Sequence, residues 1–139
     1  MRIVLNDKDK FVLCFDRGEE VFAGLLKFMS EQGIQACVFF GLGACASVEL
    51  GFYNGALKTY RSETILEELE VTSFSGNGAI IDDKPIIHAH GVFGRSDFTT
   101  IGGHVFKLTV SATCEIFLTK LEGVLERKMN TDLNLNTLV

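Results

Sequence analysis

The stretch IIHAHGVFGRSDFTTIGGHVFKLTV, residues 86–110, decides both the fold class and the candidate site. Two apolar runs flank a polar segment at 95–101, a pattern that predicts two antiparallel strands joined by a hairpin loop. The three histidines of the chain, His88, His90 and His104, all lie in this stretch. Side chains alternate along a strand, so His88 and His90 are expected to project from the same face.

The predicted hairpin brings the third histidine to this pair. A loop centred near Ser96 and Asp97 makes the numbers of paired residues sum to about 193, which places His104 opposite positions 88 to 90. Three imidazoles without an evident fourth protein ligand form the open arrangement of a reactive or ligand-binding metal site. The sequence therefore predicts a divalent transition metal, zinc being favoured, on these histidines. The alternative is three unrelated surface or core histidines.

One helix and many strands are predicted around the hairpin. Asp16 is a candidate helix N-cap, apolar residues follow helical spacing from Val21 to Met29, and Gly33 is a natural end. The other apolar runs are bounded by turn residues, which predicts strands joined mainly by short, antiparallel connections. We expect an α+β fold, a curled antiparallel β-sheet or partial barrel packed on one long α-helix. The predicted strands are 11–15, 35–41, 46–53, 57–62, 69–75, 78–81, 86–93, 103–110 and 113–121.

Length and composition indicate one globular domain over residues 1–139. The chain is 47% hydrophobic, enough for a substantial core, but no apolar run approaches the roughly 18 residues of a membrane span. The start of the chain, residues 1–10, turns charged at once and lacks the apolar segment and small-residue cleavage site of a secretory signal. The four cysteines form no CxxC pair, which favours reduced, buried thiols. We expect a cytoplasmic protein that does not associate with membranes.

The charge balance bears on possible partners. Thirteen basic residues against eighteen acidic ones give a formal net charge of −5, and Arg127-Lys128 is the only adjacent basic pair. Binding to nucleic acid draws much of its affinity from neutralised phosphates, so this composition is unfavourable for it. The segment Gly41-Leu42-Gly43 lacks the spacing and the lysine of a phosphate-binding loop, and no organic cofactor site is predicted.

Several motifs together resemble one family. They are Gly41-Leu42-Gly43-Ala44, residues 70–76, His88-Ala89-His90, Gly102-Gly103-His104 and residues 113–118. In this order they resemble the motifs of the PPC domain (plants and prokaryotes conserved), and residues 125–138 resemble its terminal strand. The resemblance implies a homotrimer of α+β subunits, and it implies a metal site at the three histidines, as in prokaryotic relatives.

The resemblance also raises a DNA-associated role. In land plants this domain follows AT-hook motifs that grip the minor groove, and stand-alone prokaryotic members are often labelled DNA-binding by analogy. This chain has no Arg-Gly-Arg-Pro segment of the AT-hook. Because the AT-hook supplies the DNA binding of the plant proteins, that function does not transfer with the fold alone. A DNA-associated regulator that acts through partners or through the trimer surface is therefore an alternative, and DNA binding by the isolated chain is not expected.

A remote similarity to acetolactate decarboxylase gives the other alternative. That zinc enzyme has a comparable His-x-His pair and a later histidine, which suggests a small metal-dependent enzyme of decarboxylase or lyase type with a small molecule at the metal. No catalytic residue is identified, and the only candidates are Arg95 in the hairpin loop and Glu115. A turn near Ser111 would place Glu115 opposite Lys107, which favours a structural role for Glu115. The sequence does not indicate a physiological role.

Overall fold

The computed structural model describes residues 1–139 and contains one helix and nine strands. The helix, α1, has 11 residues, and no helix is long and apolar enough to cross a membrane. The elements in chain order are β1 Arg2–Asp7, β2 Lys10–Asp16, α1 Val21–Glu31, β3 Cys37–Asn54, β4 Thr59–Ile65, β5 Leu69–Ile81, β6 Lys84–Gly94, β7 Thr100–Lys120, β8 Arg127–Asn130 and β9 Leu135–Leu138.

Seven of the strands form one antiparallel sheet in the order β1-β2-β7-β6-β5-β3-β4. In addition, β3 pairs with β7, which curls the sheet into a partial ring rather than a closed barrel. Strands β8 and β9 form a separate hairpin. The predicted α+β class with a curled antiparallel sheet is thus confirmed, with the sheet as the dominant element.

Three predicted pairs of strands are single long strands in the structure. Strand β3 joins the predicted strands 35–41 and 46–53, β5 joins 69–75 and 78–81, and β7 joins 103–110 and 113–121. Register shifts between Gly43 and Ser47, where β3 pairs with β7, let both strands bend without a turn. Gly43 contributes to this bend, because its φ of 150° is unfavourable for other residues and an added Cβ would lie 2.2 Å from the carbonyl oxygen of Thr113.

The prediction of a turn near Ser111 was therefore wrong. Glu115 pairs with Cys14 of β2 and Leu42 of β3, whereas Lys107 pairs with Glu49. Strand β1 was also not predicted, because all six of its residues are exposed and its sequence lacks the alternation of apolar and polar residues on which strand prediction depends. It is an edge strand that pairs only with β2, and Lys8 adopts a φ of 57° in the tight turn between them.

The helix is shorter than predicted, and its N-cap is a different residue. Asp16 ends β2 and binds Arg2 at 3.1 Å, while the backbones of Gly18 and Glu19 bond to Val110 of β7. These bonds hold the chain outside helical geometry until Glu20. The Glu20 carboxylate caps α1 by accepting from two backbone N–H groups, those of Phe22 at 3.0 Å and Ala23 at 2.8 Å.

The core lies between α1 and the concave face of the sheet. One face of α1 is buried against inward-facing aromatic and aliphatic side chains, of which Phe15, Phe74 and Phe93 are among the largest. On β6, Ala89 and Phe93 face this core. Because side chains alternate, the histidines of β6 project from the opposite, convex face, which we call the outer face.

We predict that substitution of Glu20 lowers the free energy of unfolding more than substitution of any other polar residue of the helix. Its carboxylate also accepts from the N–H of Leu108 in β7 at 3.2 Å, so Glu20→Ala removes three charge-assisted bonds that join α1 to the sheet. We expect the free energy of unfolding in urea to fall by about 1–3 kcal/mol. The control is Glu31→Ala, which removes only an exposed ion pair with Lys27; an equal loss in both variants would contradict the prediction.

Candidate metal centre

The three predicted ligands lie together on the outer face. His90 pairs directly with His104 across β6 and β7, and His88 lies two residues earlier on β6. The position opposite His104 is therefore within the predicted range of 88 to 90. One ligand nitrogen from each ring lies within 4.8 Å of the others, and the ring centroids are 5.1–5.3 Å apart.

The surroundings of these rings fit a metal ion. His88 and His104 are half-buried and His90 is exposed, so the cluster is open to solvent on one side. The Nδ1 atom of His104 is buried and has no hydrogen-bond partner. An unpaired buried polar atom is costly, and coordination would satisfy it. The neutral donor set of three imidazoles also matches the preference of divalent transition metals.

Aromatic side chains form one wall beside His104. The Tyr60 ring, from β4, lies 5.0 Å from the His104 ring between centroids, and the Phe106 ring lies 4.5 Å away. Gly51 of β3 pairs with His104 and makes room for them, since an added Cβ would lie 2.4 Å from Phe106 and 3.0 Å from Tyr60. This wall removes water from one side of the cluster and supplies an apolar surface.

The other neighbour of the cluster is Arg127, which the sequence analysis did not identify as a site residue. It begins β8 and is 8% exposed. Its Nη2 donates to Asn77 Oδ1 at 2.9 Å and lies 3.3 Å from His88 Nδ1, while its Nη1 donates to the carbonyl oxygen of Asn136 at 2.9 Å. The sequence analysis noted Arg127 only as part of the adjacent basic pair Arg127-Lys128. No local residue pattern indicates that β8 packs beside β5 and β6.

The electrostatics favour the neutral form of His88 and His104. Burial, together with the positive charge of neighbouring groups, lowers the pKa of His104 from 6.5 to about 4. Burial and the nearby Arg127 guanidinium lower the pKa of His88 as well. Neutral imidazole is the form that binds metals, so these two rings are ready to coordinate at neutral pH.

The two further candidates from the sequence are not part of this cluster. Arg95 lies in the hairpin loop, beyond the last pair of β6 and β7, where it forms a 2.9 Å ion pair with Glu67. Glu115 lies where β7 pairs with β2 and β3, far along the strand from His104. The structure therefore offers no support for either as a partner of the histidines.

Comparison with known families agrees with the motifs. Residues 3–122 match the model of the Plants and Prokaryotes Conserved (PCC) domain, the family whose motifs the sequence resembles under the name PPC. The chain belongs to this family. The matched residues include all three histidines and end before β8, so the hairpin that carries Arg127 lies outside the matched region. Among curated proteins, no sequence matches the chain.

Two solved structures of similar size illustrate the family. A Bacteroides thetaiotaomicron protein, provisionally named DNA-binding, has a TM-score of 0.93 and 26% identity over 97% of this chain and 94% of its own. A protein from Archaeoglobus fulgidus, described as metal-containing, has a TM-score of 0.89 and 30% identity over 100% of this chain and 99% of its own. Solved structures similar to this chain therefore include one named for DNA binding and one described as metal-containing.

The remote similarity to acetolactate decarboxylase is confirmed at the level of the fold. The enzyme from Bacillus subtilis has a TM-score of 0.56 and 13% identity, and the match covers 79% of this chain and 51% of the enzyme. At this identity the comparison concerns the fold alone. The PCC domain spans about half the length of that enzyme.

We predict that His104 makes the metal-free protein sensitive to acid. Well above pH 6.5 the imidazole is neutral in both the folded and the unfolded chain. As pH falls from 6.5 toward 4, the unfolded chain binds a proton that the folded chain does not, so the free energy of unfolding decreases. Urea unfolding of metal-free protein between pH 7 and 4 should show a shallower decrease for His104→Phe than for wild type. Equal pH dependences would contradict the prediction.

Proposed function

We propose that this PCC-domain protein binds one divalent transition metal, zinc being favoured, through His88, His90 and His104. The observation that carries the proposal is that one nitrogen from each histidine lies within 4.8 Å of the others, with the buried Nδ1 of His104 unpaired. The description of the Archaeoglobus fulgidus relative as metal-containing supports the same role. A cytoplasmic location stays a prediction from the sequence.

The three histidines would leave one coordination position for a small molecule. A bound divalent ion would act there as a Lewis acid that polarises an oxygen of that molecule. The chain itself supplies the neutral imidazoles, the aromatic wall of Tyr60 and Phe106, and the Arg127 guanidinium beside His88. The cluster is thus half-buried at His88 and His104 and open to solvent at His90.

We expect purified, tag-free protein to contain about one metal ion per chain. The variant His88→Ala/His104→Ala removes two of three ligands and should weaken zinc binding by at least about 100-fold, measured by competition with a chelating dye. The matched control is Lys107→Ala, three residues beyond His104 on the same strand, which should keep full stoichiometry. Retention of one ion per chain by the double variant would place the site elsewhere.

We propose that the protein is a homotrimer, as its family resemblance implies. An exposed apolar stripe on β3, formed by Val38, Phe40 and Leu42, supports this assembly because such a surface is unusual on a monomer. Phe40 is 59% exposed and stacks on Phe117 of β7, with ring centroids 5.1 Å apart. Closed three-fold symmetry would bury the stripe of each copy in an equivalent contact.

We predict that Phe40→Glu dissociates the assembly. A buried, unpaired carboxylate would destabilise each contact, so multi-angle light scattering at micromolar concentration should give the mass of three chains for wild type and a smaller mass for the variant. The control Phe98→Glu makes the same change in the hairpin loop, at a residue that is 93% exposed, and should keep the wild-type mass. A monomer mass for the wild type would refute the trimer.

A DNA-associated role is the second candidate, favoured by the name of the Bacteroides thetaiotaomicron relative. The net charge of −5 argues against direct binding, and a trimer would triple that charge. We therefore place the metal-binding role first and assign any DNA association to partners. An enzyme of lyase type is supported only by the open coordination position and the remote fold similarity.

A further inference from the structure

Arg127 is a buried cation without an anionic partner. The groups that bond to its guanidinium are the Asn77 amide of β5, the His88 ring of β6 and the Asn136 carbonyl group of β9, all of them neutral. The more distant Tyr60 hydroxyl of β4 is neutral as well, and Asp82, Asp83 and Glu126, which line a cavity with Arg127, form no ion pair with it. Its Nε–H is buried and has no acceptor. A buried charge is ordinarily paired, because desolvation is otherwise costly. The guanidinium therefore lacks the partner that its environment requires.

Metal binding would remove one of the acceptors that Arg127 has. A guanidinium only donates, so its Nη2–H can bond to His88 Nδ1 at 3.3 Å only if that nitrogen carries the lone pair of the ring. A neutral imidazole has one such lone pair, which serves either Arg127 or a metal ion. Whichever ring nitrogen of His88 coordinates, the Nη2–H group loses this acceptor.

The metal-loaded site would also hold excess positive charge. The ion would contribute two charges and Arg127 one, while the three histidines are neutral as ligands. No carboxylate is among the groups that influence the ionisation of His88, His104 or Arg127. The ion that His88 would help to bind and the guanidinium beside His88 would therefore both favour an anionic ligand.

We propose that the three histidines and Arg127 together form a binding site for a small carboxylate. One carboxylate oxygen takes the open position on the metal, and the other accepts from the guanidinium of Arg127, whose planar fork suits this group. The aromatic rings of Tyr60 and Phe106 would contact the carbon-bearing part of the molecule, which favours a carboxylic acid over an inorganic oxyanion. This inference rests on the proposed metal site and names the class of its ligand.

The test uses protein loaded with cobalt(II), whose visible absorption responds to a new ligand, and acetate as the probe. Wild type should bind acetate, and Arg127→Met should bind it about 10- to 100-fold more weakly, as expected for the loss of a charge-assisted hydrogen bond. The matched control Lys128→Met removes the adjacent, exposed cation and should keep the wild-type affinity. Sulfate should bind more weakly than acetate to the wild type.

The possible results separate this inference from the metal site. If cobalt binds with one ion per chain but acetate binds equally to wild type and Arg127→Met, the carboxylate site is refuted and the metal site stands. If wild type binds no metal, the proposed function itself fails. Should Arg127→Met not fold, the neutral variant Arg127→Gln replaces it, and an acetate affinity equal to that of wild type would then overturn the proposal. Tighter binding of sulfate than of acetate would overturn the ligand class.

Discussion

The pairing of β7 with three other strands is the constraint on which the structure depends. Along its 21 residues, β7 bonds to β6 near its start, to β2 near its end and to β3 over most of its length. Strand β3 also pairs with β5, which pairs with β6, and a flat sheet cannot hold β3 beside both β7 and β5. The strands therefore bend at bulges and the sheet curls. The curl gives a concave face that α1 fills and a convex face that carries the histidines. Fold and candidate site are thus consequences of the same strand.

The sequence predicts the site better than it predicts the elements around it. The histidine cluster depends on strand alternation and on a short hairpin, both of which are local. Residue spacing therefore predicts His104 opposite positions 88 to 90, and in the structure it pairs with His90. The continuity of β3 and β7 depends on pairing between segments more than 50 residues apart, for example Cys45 with Val110. Gly43 and Ser111 therefore resemble turn residues in the sequence, although both lie within strands.

The N-cap of α1 and the role of Arg127 escaped prediction for the same physical reason. Glu20 replaces Asp16 as cap because the preceding residues bond to β7, a contact that helix rules do not include. Arg127 reaches His88 because the β8–β9 hairpin packs beside β5, and Tyr53 and Leu133 join its far end to β3. These contacts form between segments distant in sequence, so residue patterns do not show them. The hairpin also lies beyond the residues that match the PCC family.

The central claim is that three imidazoles bind one metal ion on the outer face of the sheet. X-ray absorption at the zinc edge of the loaded protein tests it most directly, because the spectrum reports both the ligand atoms and their distances. We expect light-atom ligands at about 2.0–2.1 Å, with the multiple-scattering features of three imidazole rings. Sulfur ligands at about 2.3 Å would instead indicate binding by cysteine, and fewer than three imidazoles would contradict the site.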